Sequence, residues 1–318
     1  MIDFIAEPGV VKTWDQFLTE NPNYSIALDG YVSDEPKEDL KNFKMNLDHH
    51  YKVKRFDTPA TCAQAYDKIK NGLFDIFSIN GKPEAKLYIN HPDQDVALSI
   101  YLFKNYKYLN TEKQSALEEL VKLEDKLDRT AGLCDIDINS EIFEKLAWVF
   151  QPYSDCKNFG FLDNLSSKQM INIINNIEAR ITNYIFGTAK KLKADGKYDV
   201  AYKNEKLDWA MIIESGTYSK TKAYNDGIKS FVSVREKIDE KKQIIPNNYV
   251  YLLFNLSLNT RYNQEEIYKI LNKEEGIKEN NKDRWGGNEF GGSPRIKGSR
   301  ISPNRLKTII NDFKLGKY

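Results

Sequence analysis

The chain has 318 residues, 41% of them hydrophobic and 29% charged, a composition that can bury a sizeable core and excludes a disordered or fibrous protein. Lys plus Arg number 47 against 46 Asp plus Glu, a net charge of +1, so no global field draws the molecule onto nucleic acid or an anionic membrane, and any polyanion site must be local. At about 150 residues per domain, the length predicts two domains.

Residues 1–17, MIDFIAEPGVVKTWDQF, carry early acids and lack the basic start, long apolar stretch and cleavage site of a secretion signal. The longest apolar runs, 209–213 and 249–256, fall far short of the roughly 18 residues a membrane span needs. A cytoplasmic protein with no membrane partner is expected. Cys62, Cys134 and Cys156 form no CxxC pair and cannot all pair with each other, which suits a reducing compartment.

In chain order, 25–32 (SIALDGYV) and 42–48 read as buried strands ending in polar groups, 57–69 as a helix, and 74–79 and 86–90 as two more short strands. Strands alternating with helices predict a doubly wound parallel sheet, whose ligands sit at the carboxyl ends of the strands. Helices are predicted over 111–129 and 140–150, then a longer one over 166–192, with Met170, Ile173, Ile174, Ile177, Ile181, Tyr184 and Ile185 on one face. The turn-rich KADGKY at 193–198 makes that helix a connector. Strands at 198–203, 207–214, 230–234 and 249–256 and a helix at 265–271 follow, giving a smaller α/β unit. The expected organisation is a domain over 1–160, a connector over 161–195 and a carboxyl-terminal substrate-binding domain over 196–318.

All three histidines lie between His49 and His91. His49 and His50 follow Asp48 at a strand end, and His91 opens HPDQD, where Asp93 and Asp95 stand two apart. Mixed oxygen and nitrogen donors of this kind suit Mn²⁺, Mg²⁺, Fe²⁺ or Co²⁺. Ser215, Gly216 and Thr217 form no nucleophile elbow, no histidine follows His91, and no P-loop or dinucleotide fingerprint is present.

The Asp48-His49-His50 triplet, the strand-end Asp29 in ALDGY, the helix opening PATCAQAY at 59–66 and the strand–Asp-x-Asp–helix run INHPDQDVALS at 89–99 together resemble the DHH phosphoesterases over about the first third of the chain. In that family the Asp-x-Asp motif precedes the DHH; here it follows, so the order looks circularly permuted. Where many members carry a histidine four residues before the first Asp, this chain has Ile89. The resemblance implies that Asp29, His49, Asp93 and Asp95 hold two Mn²⁺ or Mg²⁺ ions, with Asp29 bridging and His91 substituting or supporting. It implies that His50 faces the substrate phosphate while Asp48 orients a histidine. The last ligand is expected from LEDKLDRTAG at 123–132, with Asp125 the candidate and Asp128 its alternative.

The carboxyl-terminal segment resembles the glycine-rich phosphate-binding loop of the DHH-associated domain. Gly286, Gly287, Gly291, Gly292, Ser293, Arg295, Lys297 and Arg300 are its candidate substrate contacts, in a stretch 284–307 that carries six basic residues against one acid, Glu289. The implied function is two-metal-activated hydrolysis of a phosphate ester or anhydride. The substrate class is a nucleotide, a short oligonucleotide or another small phosphate compound, with homo-oligomerisation open. The alternative is a catalytically silent nucleotide- or partner-binding relative.

Overall fold

The structure, a computed structural model, describes all residues except 159, 160, 240, 242, 279, 280, 282, 288, 289, 295 and 296 and the side chain of 163. The residues fall into two compact units. The first is Met1–Cys134, Asn139–Lys157 and Asn164–Lys193; the second is Asp135–Ile138, Asn158–Asp163 and Ala194–Tyr318. Among the described residues no helix is long and apolar enough to cross a membrane.

The first unit contains β1 (Ile2–Ala6), α1 (Trp14–Glu20), β2 (Ser25–Leu28), β3 (Lys37–Asp39), β4 (Lys44–Leu47), α2 (Thr61–Lys70), α3 (Leu73–Ile76), β5 (Ser78–Ile79), β6 (Lys82–Pro83), β7 (Ala85–Ile89), α4 (Gln94–Lys104), α5 (Gln114–Arg129), α6 (Glu141–Val149), α7 (Gln151–Asn158, less its last residue) and α8 (Ser167–Ile185). Its sheet runs β1-β7-β2-β4-β3, with the first four strands parallel and β3 antiparallel at the edge. Every residue of β2 and β4 is buried, as expected of parallel strands covered on both faces. Phe17 of α1 packs on Ala27, Tyr31, Val32 and Tyr88, while α2, α4, α5 and α8 pack on one another and against β4 and β1.

The α/β class with a parallel sheet stands, and several local expectations are corrected. The strand expected over 74–79 is the short helix α3 followed by a two-residue strand, because Gly72 in left-handed conformation (φ 87°) ends α2 and lets the chain coil again at once. The helix α8 stops at Ile185 rather than 192: Gly187 adopts φ 74° and the Thr188 amide returns to Asn183 O. This helix, expected as a connector, lies within the first unit.

The second unit carries β8 (Tyr198–Asn204), β9 (Trp209–Glu214), α9 (Ser219–Asn225), β10 (Phe231–Ile238), β11 (Ile244–Phe254), α10 (Gln264–Glu274), β12 (Gly286–Gly287), β13 (Gly291–Ser293) and α11 (Pro303–Lys314). Its mixed sheet runs β12-β13-β11-β10-β9-β8, with only β9 and β10 parallel. Ile267 and Leu271 of α10 and Leu306, Ile309, Ile310 and Phe313 of α11 share one core with Met211, Val232, Tyr251 and Leu253. The helix α11 is unforeseen in the sequence analysis, although Ser302 caps it by accepting the Arg305 amide and Pro303 opens its first turn.

Candidate metal centre

The three strands β7, β2 and β4 are neighbours and parallel, so their carboxyl ends deliver chemistry to one edge of the sheet. Leu28 leads to Asp29, Leu47 to Asp48, His49 and His50, and Ile89 to the run ending in Asp93 and Asp95. Asp29 takes left-handed backbone (φ 42°), followed by Gly30 at φ 76°. An aspartate tolerates that region better than most side chains. Two polar ties lock the strand ends together. Asp48 accepts the Gly30 and Tyr51 amides, both at 2.9 Å, and Asn90 Nδ2 donates to Gly30 O at 2.8 Å.

Around this frame His49 is fully buried. Its Nε2 lies 2.6 Å from Asp128 Oδ2, 3.4 Å from Asp29 Oδ1 and 3.8 Å from Asp95 Oδ2. Both ring nitrogens of His49 and Asp128 Oδ2 are enclosed without hydrogen-bond geometry to any partner. His50 Nε2 lies 2.9 Å from Asp29 Oδ1. Two overlapping groups therefore converge closely enough to hold a cation, Asp29 with His49 and His50, and His49 with Asp95 and Asp128. Mixed imidazole and carboxylate donors gathered in a buried site are the set that oxygen- and nitrogen-seeking divalent cations take.

The charges in the cluster act strongly on one another. Burial opposes ionisation of His49, but Asp128 and Asp29 outweigh it and push the imidazole up to about 10. Asp29 is also penalised by burial, yet His50 and His49 hold it well below the usual carboxylate range. Asp95 is pushed up to about 8 by burial and by the Asp128 and Asp29 carboxylates. Asp48 is raised by burial and by Asp29.

The expected ligands separate on inspection. Asp29, His49 and Asp95 are in the cluster, and His50 stands at its partly open side. Asp95 also seals the amino terminus of α2, accepting the Thr61 amide at 2.7 Å and the Cys62 amide at 2.6 Å. Asp93 and His91 are in neither converging group: Asp93 Oδ1 caps α4 through the Val96 amide at 2.9 Å and its Oδ2 lies 3.2 Å from His91 Nδ1. Asp125 is corrected to a cap, since its Oδ1 accepts the Ala60 amide at 2.7 Å and its Oδ2 pairs with Arg129. Asp128, the alternative to Asp125, is in the second converging group. Asp48, expected to orient a histidine, has both oxygens on backbone amides and acts instead by tying two loops.

In the second unit the glycine pairs are the strands of a small hairpin, Gly286 facing Ser293 and Gly287 facing Gly292. A Cβ on Gly292 would stand against Gly286 O and the Tyr268 ring. Lys297 is exposed and pairs with Asp283 at 2.7 Å, and the Arg300 amide donates to Glu275 Oε1. Arg295 and Glu289 lie outside the described residues.

Three groups at the centre escaped, or were ranked wrongly in, the sequence analysis. Asp128 continues the buried stripe of α5 formed by Leu117, Leu120, Val121 and Glu124, whereas Asp125 sits one step off it; that periodicity was the available signal. Glu124 is buried with Oε2 unpartnered, and burial together with Asp128 and Asp95 raises it well above the usual range. Arg55, whose Nη2 donates to Asp128 Oδ1 at 2.9 Å, closes the basic run KVKR directly after the histidines. No family model matches the chain, no curated protein matches it, and no solved structure matches it.

Proposed function

We propose that the chain is a divalent-metal-dependent phosphoesterase that hydrolyses a small phosphate ester or anhydride, with Mn²⁺ or Mg²⁺ held by Asp29, His49, Asp95 and Asp128. The observation that carries this is the convergence of three carboxylates on one buried imidazole nitrogen, His49 Nε2 lying 2.6 Å from Asp128 Oδ2, 3.4 Å from Asp29 Oδ1 and 3.8 Å from Asp95 Oδ2. Asp29 Oδ1, in reach of both histidines, would hold the cation of the group it forms with them. Bound there, divalent cations supply a Lewis acid that lowers the pKa of water and offsets the charge of a phosphoryl transition state.

The chain's own groups supply the rest. Thr61 Oγ1 donates to Asp29 Oδ1 at 3.3 Å and steadies its carboxylate. His49, enclosed, excludes water from the ligand side of the cluster, while His50 is the imidazole open enough to donate to a phosphoryl oxygen. Asp48 keeps the loops bearing Asp29 and His50 in register.

A second reading, a silent binding protein, is favoured by the capping roles of Asp93 and Asp95. Each carboxylate oxygen has a further lone pair, so capping leaves room for a cation. The test is to strip the purified chain with chelator, reload it with Mn²⁺ or Mg²⁺ and offer chromogenic phosphomono- and diesters. Turnover that disappears in Asp29→Asn and His49→Ala supports the enzyme, metal uptake without turnover supports the binder, and failure to take up metal rejects the enzyme.

A further inference from the structure

The geometry points to Arg55 as the residue that grips the phosphoryl oxygens of the substrate, on a basic lip that the first unit itself supplies. This rests on the reading of the cluster as a phosphate-ester site and adds to it a recognition element that lies apart from the glycine-rich segment.

The lip is the loop that follows His50, with Lys52, Lys54 and Arg55 and no acid before Asp57. It is pre-shaped. Asp48 anchors the Tyr51 amide at its start, and Lys54 O accepts the amides of Asp57 and Thr58, both at 3.0 Å, at its end. Lys52 is held by Asp34 at 2.8 Å, while Lys54 is exposed. Arg55 therefore projects from a turn that does not have to be ordered when a ligand arrives, which limits the entropic cost of binding.

Three side chains form the open side of the cluster. His50 keeps 33%, Arg55 26% and Asp128 24% of its side-chain surface, against none for His49. Arg55 reaches the cluster through Asp128, whose Oδ1 takes Arg55 Nη2 at 2.9 Å and whose Oδ2 lies 2.6 Å from His49 Nε2. Arg55 Nε is enclosed without an acceptor. A guanidinium fork matches the paired non-bridging oxygens of a phosphoryl group, and the group it would hold lies beside Asp128. A purely structural ion pair with Asp128 would stabilise the loop without changing anion affinity, so the two roles separate by measurement.

The experiment titrates inorganic phosphate into the purified chain by calorimetry, with and without Mn²⁺, for wild type, Arg55→Met and Arg55→Lys, with Mn²⁺ uptake read separately on each. Arg55→Met is expected to weaken phosphate about ten- to hundred-fold, the range of a lost charge-assisted hydrogen bond, with Arg55→Lys recovering part of the loss; the comparison is made at Mn²⁺ concentrations that saturate each variant, because Arg55 also holds Asp128. Equal phosphate affinity in wild type and Arg55→Met overturns the assignment, as does a wild type that binds no phosphate under either condition. Absence of Mn²⁺ uptake by wild type instead counts against the metal reading, and the phosphate comparison still decides Arg55. Should Arg55→Met fail to fold by thermal melting, Arg55→Lys decides: a several-fold loss supports the role, and unchanged affinity rejects it.

Discussion

Asp48 and Gly30 are joined across the carboxyl ends of β4 and β2 by a 2.9 Å hydrogen bond from the glycine amide to the buried carboxylate, whose other oxygen takes the Tyr51 amide. One acceptor group thus fixes the loop that carries Asp29 and the loop that follows the two histidines. Asn at this position offers a single oxygen acceptor and turns an amino group toward the second amide. Asp48→Asn should therefore lower stability by about 1–3 kcal/mol and weaken Mn²⁺ binding at least about ten-fold through displaced ligands. Urea unfolding and metal titration check both; a variant with wild-type values in both would show that the tie is dispensable.

His49 belongs to both converging groups, so its removal should affect every ion the cluster holds. In wild type, Mn²⁺ at about a hundred times its dissociation constant should stabilise the fold by about 2.7 kcal/mol. His49→Ala should lose most of that increment and all Mn²⁺-dependent phosphoester hydrolysis. Melting curves with and without metal measure it, and an undiminished metal increment in the variant would place the ion elsewhere.

The buried charges also predict how stability depends on pH in the presence of a chelator. Asp95, raised to about 8 by burial and its carboxylate neighbours, keeps in the fold a proton that the unfolded chain gives up near about 4. His49, raised to about 10 against the pull of burial by Asp128 and Asp29, keeps one that the unfolded chain releases near about 6.5. In both windows the native state binds more protons, so both contributions to stability fall with rising pH. Asp95's is lost as pH climbs from about 4 to 8, and His49's from about 6.5 to 10. Asp95→Asn should make the lower window less steep, with Glu124 and Asp48, also raised by burial, still contributing there, and leave the upper one. A melting temperature in the variant that falls between pH 4 and 6 as steeply as in wild type would contradict this assignment.

Much of this arrangement is legible in the amino-acid sequence, and the rest is hidden for local reasons. Strand-end acids and imidazoles announce themselves because β2, β4 and β7 are short and end on the buried apolar residues Leu28, Leu47 and Ile89, just before Asp29, Asp48 and the run from His91. Which acid meets His49 is a matter of helical position: Asp125 and Asp128 share a helix and are similarly half-buried, and only the stripe through Leu117, Leu120, Val121 and Glu124 leads on to Asp128. Capping competes with ligation in ways that spacing does not reveal, which is why Asp93 resolves as an end group of α4. The strand expected over 74–79 failed for a different reason, since the left-handed Gly72 lets a four-residue helix form where the apolar pattern alone suits a strand.

The glycine-rich segment offers a last prediction, because its glycines differ in what surrounds them. At Gly292 a methyl group would collide with Gly286 O and the Tyr268 ring, while at Gly286 a methyl group would meet no atom within 4 Å. Neither residue has positive φ, so the contrast is one of space rather than backbone strain. Gly292→Ala should destabilise by about 1–3 kcal/mol through overpacking of the hairpin against α10. Gly286→Ala should fold with nearly wild-type stability, which leaves it free to report on ligand contact. If the segment also meets phosphate, Gly286→Ala alone should lower substrate affinity at unchanged stability. Calorimetric titration of phosphate paired with urea unfolding reads both quantities on the same protein, and unchanged affinity in a stably folded Gly286→Ala would confine this glycine to packing.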